Sequence, residues 1–504
     1  MINRSRFFQA ALAVLFAAGV ASLLGCLGQD SLFAARPFPP STVLQRVLVA
    51  IQNPSPIVTG ALQIVDARYD IRNSENGSVP NFPISGYKGS LPSKILNYPE
   101  QTAGFVYNSG DGTISTVNYS KEQVVATTGN LPGLSNSVFV TQDGLYTFAA
   151  NQTSQLLTVL DKVLPVNVAL NLPNVYKVSV NPSGTVALAF VQNSNYAYRI
   201  IRLQQPDGKI LAPPVFHPTN GPWPSAVSPV DCQPVTLPLY CVVPVLDQND
   251  NPIQFSRPYK SIFSSDGTTA WLLNCGPECG NAAPDSVTGQ ATASVSFLNA
   301  GALNIYNFPG SGYPAPPAST PQPTEQRRVP VPGGATMAVY GSNGNLYVSG
   351  QQEQPDGLFE GFLSVVSPST YQVTATYPIA DGTHTKMLFG DDNTLWIGSQ
   401  LCQTGERTAK NLTNGCLTLF NLNNNQVLVE PWYGDLTGLC AIIQWHKMDT
   451  AYGGQIHLYA TTNVGITTTT PTYTAGTELY NGNVTIQGTA FDVAYMDAPS
   501  NAAD

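Results

Sequence analysis

Apolar residues along this chain fall into short runs broken by Gly, Asn, Asp, Ser and Pro, and no run sustains a helical period. The stretch 136–173, NSVFVT-QDG-LYTFAAN-QTSQ-LLTVLD-KVLPVNVALNLP, shows the pattern most clearly. Residues 138–141 and 145–151 predict two strands joined by Gln142-Asp143-Gly144, with a third strand at 156–161 and a fourth at 166–172. β-branched and aromatic runs bounded in this way form antiparallel meanders, because Gly, Asn and Asp tolerate the backbone angles of a tight reversal.

The four-strand unit recurs. Strands are expected at 94–98, 103–108, 113–119 and 123–128, at 336–340, 346–349, 362–367 and 373–378, and at 385–389, 395–399, 416–422 and 426–431. Less complete units lie at 175–203 and 259–298, separated by a Pro-rich excursion, 204–258, which reads as an elaborated loop. A last unit reads as 440–445, 456–461, 465–470 and 484–487. Repeated four-strand units predict an all-β fold, a single β-propeller over 43–504 with loop insertions at 204–258, 276–292, 351–361 and 401–415. Strands at 43–51 and 61–71 open the folded part without an innermost partner, while 490–496 (AFDVAYM) is left over at the other end. The two defects cancel if the C-terminal strand completes the N-terminal blade and closes the ring without an open sheet edge. The count is then eight blades, with seven the alternative.

Composition adds two constraints. The 43 Gly and 41 Pro among 504 residues are spread along the chain, as many tight turns require. A net charge of −9, with no basic stripe interleaved with aromatics, argues against a nucleic-acid partner.

The N-terminus gives an address. Arg4 and Arg6 precede an apolar stretch at 7–24, and Leu23-Leu24-Gly25-Cys26 closes it, as in a secretory signal. That tetrapeptide resembles the lipobox of bacterial lipoproteins, although Leu24 stands where Ala or Ser is usual. The resemblance implies a signal peptide at 1–25, cleavage before Cys26, acylation of Cys26 (palmitate-type chains) and a lipidated tether at 26–42. An ordinary cleaved secretion signal and an uncleaved anchor are the alternatives. The expected partner is therefore a membrane, reached through a lipid anchor in a bacterial cell envelope. Leu27 follows the Cys where retained inner-membrane lipoproteins often carry Asp, which implies the outer membrane in a cell that has two. Nothing after Cys26 is apolar for long enough to span a bilayer. The QDG, PSG, SDG and SNG turns, each followed by a strand such as LYVSG, resemble the YVTN-type bacterial propeller repeat over most of 90–400. That resemblance implies a fold, and a fold does not fix a function.

Seven of the eight cysteines follow Cys26. Local disulfides are expected between Cys275 and Cys279, Cys232 and Cys241, and Cys402 and Cys416, each restraining a loop. Cys440 lies on an apolar strand and reads as a buried thiol. No CxxC or CxxCH occurs, so no metal and no cofactor is expected. His384 opens an innermost strand and is placed to face the channel. Glu353, Asp356, Glu360 and Glu406 sit on insertions and, with Glu278 and Asp285, read as a solvated acidic rim rather than paired catalytic or calcium-binding carboxylates. No nucleophile elbow and no phosphate-binding glycine loop is present, so no catalytic residue is assigned. The expected function is a non-enzymatic, envelope-anchored binding or scaffold protein presenting a loop-rich face to a protein or glycan partner. The alternative is a lactonase-like or lyase-like enzyme with its site at the channel mouth.

Overall fold

A computed structural model describes residues 40–43, 45–67, 82–97, 102–129, 131, 135–280, 282, 284, 291–307, 325–390, 393–403, 414–433, 436–442, 447–452, 455–461 and 479–497. Cys26, Asp285, Glu406, the signal segment and most of the tether lie outside these residues. Among the described residues, no helix is long and apolar enough to cross a membrane.

The short apolar runs become strands, and successive strands pair antiparallel into twisted sheets. Seven sheets are each built from consecutive strands, numbered here as blades 1 to 7 at 92–128, 137–171, 175–244, 258–330, 337–379, 383–433 and 436–485. One further sheet is composite. Its innermost strand is the C-terminal Thr489–Tyr495, which pairs with Arg46–Ser55, followed by Val58–Asp66 and Phe82–Pro83. A blade defined as one contiguous run of strands therefore occurs seven times, the alternative count. Eight units are reached only by adding the closing sheet.

The closing register is Val47 to Tyr495, Leu48 to Ala494, Val49 to Val493 and Ala50 to Asp492. Side chains alternate across a strand, so the two faces of this sheet meet different neighbours. Val47, Val49 and Ile51 pack with Cys440 and Val484 of blade 7, whereas Leu48 and Ala50 pack with Ile95 and Val106 of blade 1. Arg46, buried, then ties the ends together. Its guanidinium reaches Asp497 at 2.6 Å and Glu122 of blade 1 at 3.0 Å. The result is one propeller with a core between every pair of neighbouring sheets.

The turns from first to second strands follow the sequence closely. In Gln142-Asp143-Gly144 the Asp143 carboxylate accepts the Leu145 N–H at 2.9 Å, and Gly144 takes φ +67°. A Cβ on Gly144 would lie 2.8 Å from the Phe105 ring, so the turn needs glycine for both reasons.

Two readings change. The 204–258 excursion is not only a loop: Tyr240–Pro244 forms the fourth strand of blade 3 and Asp231–Gln233 a fifth. Blade 7 uses Leu436–Ile442, Lys447–Tyr452, Gln455–Thr461 and Leu479–Thr485, so its second strand was missing from the sequence reading. The strand expected at 465–470 lies outside the described residues.

Candidate functional site

The innermost strands surround a central cavity of about 750 Å³. Near one end, several of these strands contain a bulge. In blades 1, 3, 4 and 6 the extra residue is Ser93, Tyr176, Tyr259 and Thr385, and in the C-terminal strand it is Phe491. A bulge re-aims the side chain that follows it. Those next residues are Lys94, Lys177, Lys260, Lys386 and Asp492, and all five line the cavity. Ser137 of blade 2 and Met337 of blade 5 also line it, at the first position of their innermost strands. Four lysines and one aspartate thus form a belt at one level of the channel.

The lysines are half-buried, Asp492 is buried, and the group is close-set. Lys177 Nζ stands 3.1 Å from the Tyr259 ring centroid, and Lys260 Nζ is 3.4 Å from Met337 Sδ. Lys386 Nζ is 3.9 Å from Asp492 Oδ1, while the other oxygen of Asp492 accepts the Ile95 N–H at 2.7 Å. Burial pushes the Lys177 amine well below its ordinary value, and the neighbouring Lys260 and Lys94 charges push it the same way. Gly438 of blade 7 leaves room for Asp492, since a Cβ there would lie 2.7 Å from the Asp492 Cα. Beyond the belt the channel becomes apolar, lined by Phe139, Val180, Phe263, Tyr340 and Phe389.

His384 lines the cavity but is only 2% exposed. Its Nε2 lies 2.8 Å from the Ala380 carbonyl, and burial lowers its pKa to about 4. It is therefore neutral and engaged with backbone, which suits a structural residue better than a base.

The belt lies one step inside the end where second strands pass to third strands, because Pro258 pairs with Asn274 and Lys260 with Leu273. That end carries the insertions. Cys275 and Cys279 are bonded across a 3-10 turn, Gly276–Cys279, in blade 4, and Cys402 is bonded to Cys416 in blade 6. Cys232 is bonded to Cys241 at the outer edge of blade 3, and Cys440 is buried as a thiol. The blade 4 and blade 5 insertions are tied to each other and to the connection between blades 5 and 6. The Glu353 N–H of blade 5 donates to Glu278 of blade 4 at 3.2 Å, and the Gly382 N–H, in the connection between blades 5 and 6, donates to Gln351 of blade 5 at 2.7 Å. The Gln403 N–H, at the start of the blade 6 insertion, donates to the Asp381 carboxylate of that same connection at 2.7 Å. Glu353, Asp356 and Glu360 are exposed on the blade 5 hairpin and do not converge on the channel lysines.

The lysine belt is what sequence reasoning missed. The available signal was a lysine at the third place of three innermost strands, PSKIL, VYKVSV and PYKSIF.

No family model and no curated protein matches the chain. Among solved structures, it is similar to the periplasmic gluconolactonase of Pseudomonas aeruginosa, at 15% identity and TM-score 0.37, covering 87% of this chain and 98% of that one. It is also similar to the β-propeller domain of Myceliophteria thermophila Cps50 (Swd1), at 10% identity and TM-score 0.42, covering 73% and 95%. Kuenenia stuttgartiensis hydrazine synthase is similar at 11% identity and TM-score 0.39, covering 65% and 76%. Likenesses of this degree carry no argument about activity.

Proposed function

We propose that the protein is a non-enzymatic, envelope-anchored propeller that presents the joined loops of blades 4, 5 and 6 to a protein or glycan partner. The observation that carries the reading is a run of hydrogen bonds at this end, Glu278 to Glu353, Gln351 to Gly382 and Asp381 to Gln403, which ties the described parts of the three insertions together through the connection between blades 5 and 6. Rigidly placed loops on a stable scaffold are the usual material of a recognition surface. Leu358 and Leu401 are 56% and 62% exposed on it, beside the acidic Glu353, Asp356 and Glu360. This mix of apolar and charged groups suits a partner that meets the face by its surface. Acyl chains on Cys26 would hold the protein at the outer membrane through the 26–42 tether.

The enzymatic alternative needs acid, His and Arg side chains converging at one channel end. The described lining offers lysines, a His384 bonded to backbone and an Asp492 that accepts a backbone N–H, which favours binding over hydrolysis.

A photo-crosslinking residue at Leu358 or Leu401 in intact cells should capture a discrete partner. The same group at Val163, exposed between third and fourth strands and so at the opposite end, should not. Equal capture at all three positions, or none at the two loops, contradicts the proposed face. Hydrolysis of gluconolactone above the buffer rate would favour the enzymatic alternative. For the anchor, an alkynyl fatty acid should label the wild type and not Cys26→Ala; an unlabelled wild type contradicts it.

A further inference from the structure

We propose that the lysine belt is a binding site for a small organic anion, its phosphate or carboxylate group held among Lys94, Lys177, Lys260 and Lys386 and its apolar body along the channel. This goes beyond the loop-face reading and does not depend on it, because the partner there meets the exposed rim.

Like charges brought together in a low-dielectric space disfavour one another's charged forms. Here four of the chain's ten lysines share one register of one cavity, although the chain as a whole carries −9. The only carboxylate among the described lining residues is Asp492, and its oxygens also accept the Ile95 and Val493 N–H groups. Among the described lining residues, four ammonium groups thus share this level with one carboxylate, in a confined space where like charges raise one another's energy. The crowding is visible at Lys177, whose amine is disfavoured in its charged form by burial and then by Lys260 and Lys94. An anion entering the belt would reverse that effect for several lysines at once.

Other features point to the same class of ligand. A cavity of about 750 Å³ is of small-molecule size, since such sites typically span roughly 300–1,000 Å³. Lysine acts as a compact point charge on a flexible stem, so it accepts phosphate or carboxylate without the fixed planar geometry that arginine imposes. Past the belt, Phe139, Phe263 and Tyr340 offer apolar surface to the rest of such a molecule. Low-dielectric walls lined with one sign of charge also concentrate counter-ions.

The test is calorimetric titration of the purified full-length protein at low salt with inorganic phosphate, glucuronate and glucose. At least one of the two anions should bind, glucose should not, and added salt should weaken the binding. Lys177→Met and Lys260→Met should each weaken it at least tenfold, while Lys209→Met, exposed and remote from the cavity, should leave it unchanged. Binding of phosphate alone assigns a phosphate-bearing ligand, and binding of glucuronate alone a carboxylate-bearing one; either supports the proposal. In anion-free buffer the channel variants should melt at or above the wild-type temperature, because like-charge crowding has been removed. If the variants do not fold, hydrogen exchange on the wild type decides. Anion-dependent protection of 92–96, 175–180 and 258–263 supports the site, and protection confined elsewhere overturns it. Binding of neither anion overturns it too, as does anion binding that the channel variants leave intact.

Discussion

His384 shows how burial fixes the state of a single side chain. Packed at 2% exposure with its Nε2–H donated to the Ala380 carbonyl, the imidazole takes up a second proton only below about pH 4, despite the favourable charge of Asp381. In the unfolded chain its value is the ordinary 6.5, so between the two values the unfolded state binds more protons. The associated stability is complete above pH 6.5 and is lost as the pH falls toward 4, by roughly 3 kcal/mol. Urea melts across that window should show wild-type stability falling more steeply than that of His384→Gln. Parallel curves would contradict a neutral buried imidazole. Gly438 makes the opposite point, that the absence of a side chain can hold a neighbour in place. Gly438→Ala would drive a Cβ to 2.7 Å from both Cα and Oδ1 of Asp492. It should cost about 1–3 kcal/mol, the usual range for overpacking, in a chemical-denaturation comparison.

At the scale of elements, the strand Thr489–Tyr495 has the largest consequences. It is wedged between blades 7 and 1, supplies Asp492 to the channel, and leads directly to Asp497, the partner of Arg46. Truncation after Gly488 removes all of these and exposes the apolar edge from Val47 to Ile51. The melting temperature should fall by more than about 10 °C, well beyond the effect of trimming an ordinary terminal tail. A truncated protein that melts with the wild type would show that this strand does not complete the ring. This closure was legible in the sequence because two complementary defects, a sheet without an innermost strand and a strand without a sheet, sat at opposite ends. The disulfides were legible because their cysteines are close in sequence and flank loops. Tyr240–Pro244 was not, since a Pro-rich excursion separates it from the third strand of its blade and its own run is only 5 residues long. Nor was the lysine belt. Each lysine is the single formally charged residue of its strand, and only closure of the ring brings positions as distant as Lys94 and Lys386 to the same level.

Across the whole molecule, charge is sorted by position. The chain carries −9 overall and shows Glu353, Asp356 and Glu360 at the loop-rich rim, yet lysines line the passage beneath it. A ligand or partner would thus meet an acidic, partly apolar surface first and a cationic channel second. That sequence of environments exists only if the ring is closed, because Lys94 lies in the first blade and Asp492 in the last strand. Gln52 and Thr489 are directly opposed across the closing pair, and neither is fully buried. The most direct test is therefore the double variant Gln52→Cys with Thr489→Cys, oxidised as purified monomer and mapped by non-reducing peptide mass spectrometry. Opposed strand positions bring Cα atoms within disulfide range. The expected result is a peptide joining positions 52 and 489 within one chain, turning nearly the whole protein into a covalent circle. Recovery of both thiols unlinked, or of links only between separate chains, would contradict the closed ring and the channel it encloses.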